Sequence, residues 1–130
     1  SIAEESPLQR SRLCLHPNSN DSLQEMLIHL TSSCEIPVSY HLNKDESLVV
    51  LEGSGAYDFY ADESKPIERI DLDSYSESCN NTEESYFFTR INRFIGHKIV
   101  PGNEGILIYE ATTGPFNKED TKYMLKRELD

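Results

Sequence analysis

The sequence predicts an all-β domain, and three observations support this prediction. Short runs rich in Val, Ile, Tyr and Phe recur along the chain, at residues 47–51, 86–91 and 106–110. Gly and Pro turn signals separate these runs. Only one run has clear helical spacing. Many short strands with little helix are typical of a β-sandwich or a β-barrel.

Length, charge and cysteine content narrow the class of protein. A chain of 130 residues can form one domain with one core. The net charge of −11, from 12 basic and 23 acidic residues, argues against a nucleic-acid partner. No apolar run approaches the roughly 18 residues of a membrane span, and no signal peptide is visible. Cys14, Cys34 and Cys79 have no paired spacing, so we expect reduced thiols in a cytoplasmic protein.

Composition divides the chain into three parts. Residues 1–11 are polar and rich in Ser and Glu, and we expect a flexible N-terminal arm. Residues 12–117 hold the strand-like runs and form the β domain. Residues 118–130 are a charged C-terminal tail that could hold one or two helical turns. Within the β domain, the polar residues 74–84 lack periodicity and are expected to form a mobile loop.

The strand signals are clear in some segments and ambiguous in one. Residues 12–16 alternate like a short strand, and a hairpin is expected where residues 47–51 meet Gly53-Ser54-Gly55 and return along 56–60. Residues 67–72 alternate as well.

Later in the chain, 99–100 and 106–110 are predicted strands with a turn at 101–105 between them, and 113–115 break the sheet. The ambiguous segment lies between residues 23 and 30. Leu23, Met26 and Leu27 have helical spacing, but residues 26–28 could equally be the middle of a buried strand.

The candidate site rests on two histidines and one carboxylate. His41 precedes Glu46 by five residues, ahead of a Leu/Val strand and Gly53, and His97 lies in the later stretch 91–97. If the strands that carry these residues lie side by side, the three side chains can point into one cavity. Two imidazoles and a carboxylate are the ligands of many divalent-metal sites with open positions.

These residues resemble the motifs of the cupin superfamily. The first cupin motif is His-x-His, three or four residues, Glu, six residues, Gly, and Ser39-Tyr40-His41, Glu46 and Gly53 match it except at Ser39. In the second motif His97 matches the histidine, but 92–94 lack the Pro-x-Gly turn. The resemblance implies a cupin-type double-stranded jelly-roll barrel with little helix.

More narrowly, the chain resembles the WbuC-type cupin-fold metalloproteins associated with bacterial surface-polysaccharide gene clusters. The resemblance covers residues 12–116 and includes residues 12–16, residues 26–28, and Glu110 followed by 114–116. It implies that the ambiguous segment is a strand and that a sugar or nucleotide-sugar related ligand is bound. Ser39 stands in place of a metal-binding histidine, and its hydroxyl is a weak ligand for most transition metals.

The resemblance also implies the site residues. His41, Glu46 and His97 are the expected metal ligands, for Zn, Fe, Mn, Ni or Cu, and no organic cofactor is expected. Ser39, Arg12 and His16 are the remaining predicted pocket residues. Arg12 could hold a phosphate or carboxylate of a ligand, or form a surface ion pair. His16 could line the pocket mouth or have a structural role, and Glu110 is assigned no chemistry.

The sequence supports two main functional hypotheses. The first is a small metal-binding and ligand-binding cupin, with a homodimer expected and without nucleic-acid or membrane partners. The second is a degenerate, metal-free cupin that acts as a non-catalytic binding or dimerisation module. A jelly-roll sugar-nucleotide isomerase or epimerase is a third possibility, for which the sequence offers no convincing acid partner to the His base. Whether the protein is an enzyme stays open.

Overall fold

Antiparallel strands make up most of the described part of the chain, which comprises residues 1–62, 65–80 and 83–124 of the computed structural model. The strands are β1 (Arg10–Cys14), β2 (Leu23–Leu30), β3 (Ser39–His41), β4 (Glu46–Tyr60), β5 (Glu68–Asp73), β6 (Phe88–Ile91), β7 (Gly96–Thr113) and β8 (Thr121–Tyr123). The helical elements are α1 (Ile2–Glu5), α2 (Tyr75–Asn80) and a 3₁₀ turn at Lys118–Asp120. Neither described α-helix has the length or apolar character needed to cross a membrane.

Strands β4 and β7 are the long central pair of the sheet. They are antiparallel along almost their whole length, from Glu46 opposite Thr112 to Tyr60 opposite Gly96. The second half of β7 also pairs with β2, and its first half pairs with β3. β1 extends the sheet beyond β2, β8 extends it beyond β3, and β5 and β6 flank β4. The sheet therefore curls around the β4–β7 pair as a half-open barrel.

The core lies on the inner face of this curled sheet. Along β2 the residues Met26, Ile28 and Leu30 are buried, while the residues between them are partly exposed. Alternate burial also runs through β4 and β7, because successive side chains of a strand point to opposite faces. The buried apolar cluster includes Leu48, Val50, Tyr57, Leu72, Ile91, Ile99, Ile106 and Ile108.

The segment with the ambiguous periodicity is strand β2, which confirms the prediction drawn from the cupin resemblance. It pairs with β1 on one side and β7 on the other. The period of two is hard to detect in the sequence because the inward position 24 is Gln, which is buried and donates its amide to the Asp21 carbonyl at 2.9 Å. The outward positions 23 and 27 are Leu, which creates the misleading helical spacing.

The hairpin predicted at Gly53-Ser54-Gly55 is wrong, and so is the turn predicted at 101–105. β4 runs through the first segment and β7 through the second, with irregular register between residues 50 and 55. Gly53 has φ +80° and Gly105 has φ +79°, in the left-handed region that favours glycine. A Cβ on Gly53 would lie 2.2 Å from the Gly105 carbonyl oxygen. These glycines permit a close crossing of two bent strands, where we expected chain reversal.

The terminal segments and the polar loop contain more regular structure than expected. Residues 1–11 hold α1, with a Ser1 capping box and a fully buried Ala3, and the start of β1. The expected tail contributes the 3₁₀ turn and β8, and residues 125–130 of it lie outside the described residues. The expected mobile loop at 74–84 contains α2, and its residues 81–82 are likewise outside the described part.

We expect Gly53→Ala to lower the free energy of unfolding by about 1–3 kcal/mol, because alanine disfavours the left-handed backbone and its Cβ would meet the Gly105 carbonyl. Chemical denaturation measures the change. Ser47→Ala, at an exposed position of the same strand, is the control and should have little effect. Equal stability of the two variants would contradict the assigned crossing.

Candidate functional site

The three predicted ligands come from three strands that the fold brings together. His41 ends β3, Glu46 begins β4, and His97 is the second residue of β7. β3 lies beside β7, with Ser39 opposite His97, and beside β8, with His41 opposite Thr121. The candidate site therefore lies where the ends of these strands converge on the inner face of the sheet.

Glu46 lies between the two imidazoles. Its Oε1 is hydrogen-bonded to His41 Nε2 and lies 3.5 Å from His97 Nε2. The two rings have centroids 5.5 Å apart. One ligand atom from each residue lies within 4.8 Å of the others, and all three residues are buried. The structure thus brings together the ligand set that the sequence predicted.

The other ring nitrogens have partners that orient the imidazoles. His97 Nδ1 donates to the Ile95 carbonyl at 2.8 Å, since a carbonyl can only accept. In the neutral ring Nε2 then carries no proton and can bind a metal ion, whereas in the protonated ring Nε2 donates toward Glu46. His41 Nδ1 lies 3.0 Å from the Thr121 hydroxyl, which can donate or accept. Metal-binding histidines typically have such partners on the second nitrogen.

The Glu46 carboxylate and the His97 imidazole stabilise each other's charged forms. Burial favours the neutral form of Glu46, but hydrogen bonds and positive charge from His41 and His97 outweigh it and hold the pKa of Glu46 well below its usual range. Burial likewise opposes protonation of His97, but the hydrogen bond and charge of Glu46 raise the pKa of His97 above its usual value. Glu46 is therefore ionised in the folded protein, and the neighbouring imidazoles stabilise its negative charge.

A cavity of about 500 Å³ opens over this cluster. This volume is within the range of small-molecule sites in proteins. Its wall is partly apolar, with Ile28, Ile108 and Tyr57, whose ring meets His97 edge-on at 5.9 Å between centroids. The charged and polar lining includes Arg10, Arg12, Ser39, His41, Lys44, Glu46, His97 and Glu110.

The remaining predicted pocket residues divide into two groups. Ser39 and Arg12 line the cavity, and Ser39 is two positions before His41 on β3, so their side chains share a face. Among the described residues that line the cavity, His16 is not found. Its Nδ1 instead accepts from the Glu25 backbone N–H at 3.1 Å. That contact fits the structural role considered for His16 and holds the chain beside β2.

Glu110 is one of the cavity residues that the sequence did not predict, together with Arg10 and Lys44. It follows Ile106 and Ile108 at the next inward position of β7, opposite Met26 and Leu48. Burial, and next the negative charge of Glu46, raise the pKa of Glu110 to about 7. The period of two in Ile106-x-Ile108-x-Glu110 was the signal in the sequence, because it places a carboxylate on the apolar face.

The chemistry of the donors fits a divalent metal ion. Two Nε2 atoms and one carboxylate oxygen face one point, and the partners of both Nδ1 atoms leave the Nε2 atoms available as ligands. Imidazole and carboxylate together suit Zn, Fe, Mn, Ni or Cu, and three protein ligands leave positions open. Ser39 would add only a hydroxyl beside them.

Solved structures identify the class of fold. Pac13 of Streptomyces, described as a nucleoside dehydratase and solved with uridine, matches with a TM-score of 0.64 at 7% identity, over 92% of this chain and 82% of that chain. The capsular polysaccharide assembling protein CapF of Staphylococcus aureus matches with a TM-score of 0.60 at 16% identity, over 88% of this chain and 32% of that chain. A protein from Acidithiobacillus ferrooxidans that is named as a sugar phosphate isomerase matches with a TM-score of 0.53 at 14% identity. The match covers 72% of this chain and 51% of that chain. At these identities the likeness shows the fold, which is the predicted cupin-type all-β barrel.

The family follows from the sequence itself. The family described as a domain of unknown function (DUF6016) matches residues 1–72, more than half of the chain. The protein therefore belongs to the DUF6016 family. No curated protein matches the sequence significantly.

Replacing Glu110 by Gln should change the pH dependence of stability. With a folded pKa of about 7 and an unfolded value near 4.3, native Glu110 keeps a proton that the unfolded chain loses, so this group makes stability fall as pH rises between these values. Glu110→Gln should match the parent near pH 4 and exceed it at pH 8 by about 1–3 kcal/mol.

Denaturation of metal-free protein across this pH range measures the effect. Glu104→Gln, at an exposed position of β7, is the matched control and should retain the parent slope. An unchanged slope in Glu110→Gln would show that Glu110 titrates alike in the folded and the unfolded protein and would contradict its raised pKa.

Proposed function

We propose that this protein is a small cupin that holds a divalent metal ion with His41, Glu46 and His97 and binds a small sugar-related or nucleotide-sugar-related ligand. The observation that carries the proposal is the convergence of two imidazole Nε2 atoms and one carboxylate oxygen beside a cavity of about 500 Å³. Both the ligand set and the cavity size match what such a function requires.

The residues of the chain have distinct roles in this proposal. Ile95 and Thr121 fix the two imidazole rings through their Nδ1 atoms, and Glu46 supplies the negative charge of the site. A bound metal would supply Lewis-acid polarisation of a carbonyl or hydroxyl group of the ligand. The apolar wall formed in part by Tyr57 and Ile108 would contact the body of the ligand and limit water.

The choice of ligand class is supported by the structural neighbours. One was solved with uridine, another bears the name of a sugar phosphate isomerase, and a third assembles capsular polysaccharide. Together with the WbuC-type resemblance, they favour a sugar-related ligand and a link to bacterial surface-polysaccharide biosynthesis. A cytoplasmic location and a homodimer are predictions from the sequence and the resemblance, and light scattering tests the latter.

A metal-free binding module is the second candidate, and one observation favours it. Glu46 is hydrogen-bonded to His41 and lies 3.5 Å from His97, so the three side chains are satisfied without an ion. Ser39 in place of a third imidazole weakens the attraction for a metal. In this alternative the cavity retains its ligand and the histidines only hold its wall.

Metal content separates the two candidates. After incubation with Zn, Fe, Mn, Ni or Cu and removal of excess ion, elemental analysis should find about one equivalent in the parent protein. His41→Ala and His97→Ala should each lose most of it. His29→Ala is the matched control, since His29 lies on the outer face of β2 and should leave the content unchanged. No metal in the parent protein would favour the metal-free module.

Restoring the missing histidine should strengthen the site. Because Ser39 and His41 share one face of β3, Ser39→His would place a third imidazole at the cluster. We expect its metal affinity to rise by roughly tenfold or more, measured by competition with a chromogenic chelator. Ser39→Asn, with similar bulk and a poor ligand atom, is the control. An equal gain in both variants would indicate that Ser39 does not face the ion.

A further inference from the structure

Four cationic side chains, Arg10, Arg12, Lys44 and Lys98, line the metal-site cavity, and Lys98 also acts on Asp58, its partner across the β4–β7 pair. Arg10 and Arg12 belong to β1, and Lys44 lies in the loop between β3 and β4. The whole chain has only 12 basic residues against 23 acidic ones. A concave site lined by cations on an acidic protein is therefore a feature of this cavity and not of the surface as a whole.

The strand register explains why the arginines face the cavity. In the antiparallel β1–β2 pair, Arg10 is opposite Leu30 and Arg12 is opposite Ile28. Directly opposed residues of antiparallel strands have side chains on the same face. Leu30 and Ile28 are buried on the inner face, so the two arginines continue that face at the edge of the barrel.

Within the described part of the chain, Arg10, Arg12 and Lys44 lack the carboxylate partners that Arg69, Arg90 and Arg93 have. Arg69 pairs with Asp58, and Arg90 and Arg93 both pair with Asp45. No ion pair involving Arg10, Arg12 or Lys44 is found among residues 1–62, 65–80 and 83–124. The surface ion pair considered for Arg12 is thus not formed within the described chain, and its guanidinium donors are available.

The carboxylates within the cavity do not cancel these charges. Glu46 is bound by two imidazoles. Glu110 lies opposite Met26 deeper in β7, and the positive charges of Lys44 and Arg12 act on it, although burial and Glu46 dominate and raise its pKa to about 7. The electrostatic field of Lys44 and Arg12 therefore reaches Glu110 inside the cavity.

We propose that the ligand of this cavity carries an anionic group, a phosphate or a carboxylate, which Arg10, Arg12 and Lys44 bind at the cavity edge. This inference rests on the proposed function only in taking the cavity as a small-ligand site, and it does not require the metal. Arg binds such groups through paired N–H donors, and Lys does so as a point charge. The uncharged part of the ligand would extend toward the His41–Glu46–His97 cluster.

The test compares anionic and neutral sugars of similar size. Calorimetry at constant ionic strength measures binding of glucose 1-phosphate, glucuronate and glucose to protein freed of metal by chelation, and then to protein loaded with zinc. We expect one or both anionic probes to bind in both preparations, and glucose to bind at least about tenfold more weakly. Preference between the two anionic probes distinguishes a phosphate site from a carboxylate site.

Charge-neutral variants locate the binding groups. Arg12→Gln and Lys44→Gln should each weaken binding of the anionic probe by about tenfold, whereas Lys122→Gln on β8, outside the cavity lining, should not. Circular dichroism verifies folding, and an Arg12→Lys variant should recover part of the lost affinity.

The outcomes for the anion site and the metal site can be told apart. Anion binding that depends on Arg12 and Lys44 in a protein that takes up no metal supports this inference and contradicts the metal site. Three results would overturn the inference: no binding of either anionic probe up to tens of millimolar, equal binding of glucose, or unchanged affinity in Arg12→Gln and Lys44→Gln. Anion binding to the zinc-loaded protein alone would assign the anion to the metal and also overturn it.

Discussion

The bending of the β4–β7 pair is the constraint on which the candidate site depends. His97 is paired with Phe59, thirteen positions along β4 from Glu46. In a straight strand these positions would lie about 40 Å apart. Yet the Glu46 carboxylate is 3.5 Å from the His97 imidazole. The two long strands must therefore turn back across the barrel while remaining hydrogen-bonded, and the irregular register around Gly53 and Gly105 marks where they do so.

This geometry explains why a small domain can build a buried polar cluster. The ends of β3, β4 and β7 meet on the inner face, where water is scarce and an unpaired carboxylate would be costly. Glu46 avoids that cost through two imidazoles, and each imidazole has a further partner on its second nitrogen. The same three side chains could hold a metal ion in place of the protons between the imidazole Nε2 atoms and Glu46. In the proposed metal site Ser39 would supply only a hydroxyl, which competes poorly for a metal.

The sequence allowed the convergence of His41, Glu46 and His97 to be predicted better than the course of the strands that carry them. The spacing of His41, Glu46 and Gly53 reflects a local motif, so it remains readable in a single chain. The course of β4 and β7 depends on a contact between Gly53 and Gly105, fifty-two positions apart, and local turn signals at both places suggested reversal. Long-range pairing of this kind leaves no mark in a short window of sequence.

Two other features of the fold show the same limit. Glu110 was assigned no chemistry because it was interpreted as part of a strand end that closes the barrel. The period of two from Ile106 and Ile108 is too short a signal to establish an inward carboxylate, and the register opposite Met26 shows the inward position. Strand β8 was missed because three residues, of which Thr121 and Lys122 are polar or charged, give too little pattern. It forms only because β3 offers an edge to which it can pair.

The distribution of charge links the fold to the proposed ligand. A net charge of −11 disfavours an anion at long range, but charges on the outer surface are screened over about 8 Å at physiological ionic strength. Within a concave, partly apolar cavity screening is weaker, so the nearest charges decide which ligands bind. Here those charges are Arg10, Arg12 and Lys44 at the edge and a carboxylate already bound by histidines inside. Net charge therefore argues against a polyanionic partner on the outer surface, while local charge favours the proposed anionic group within the cavity.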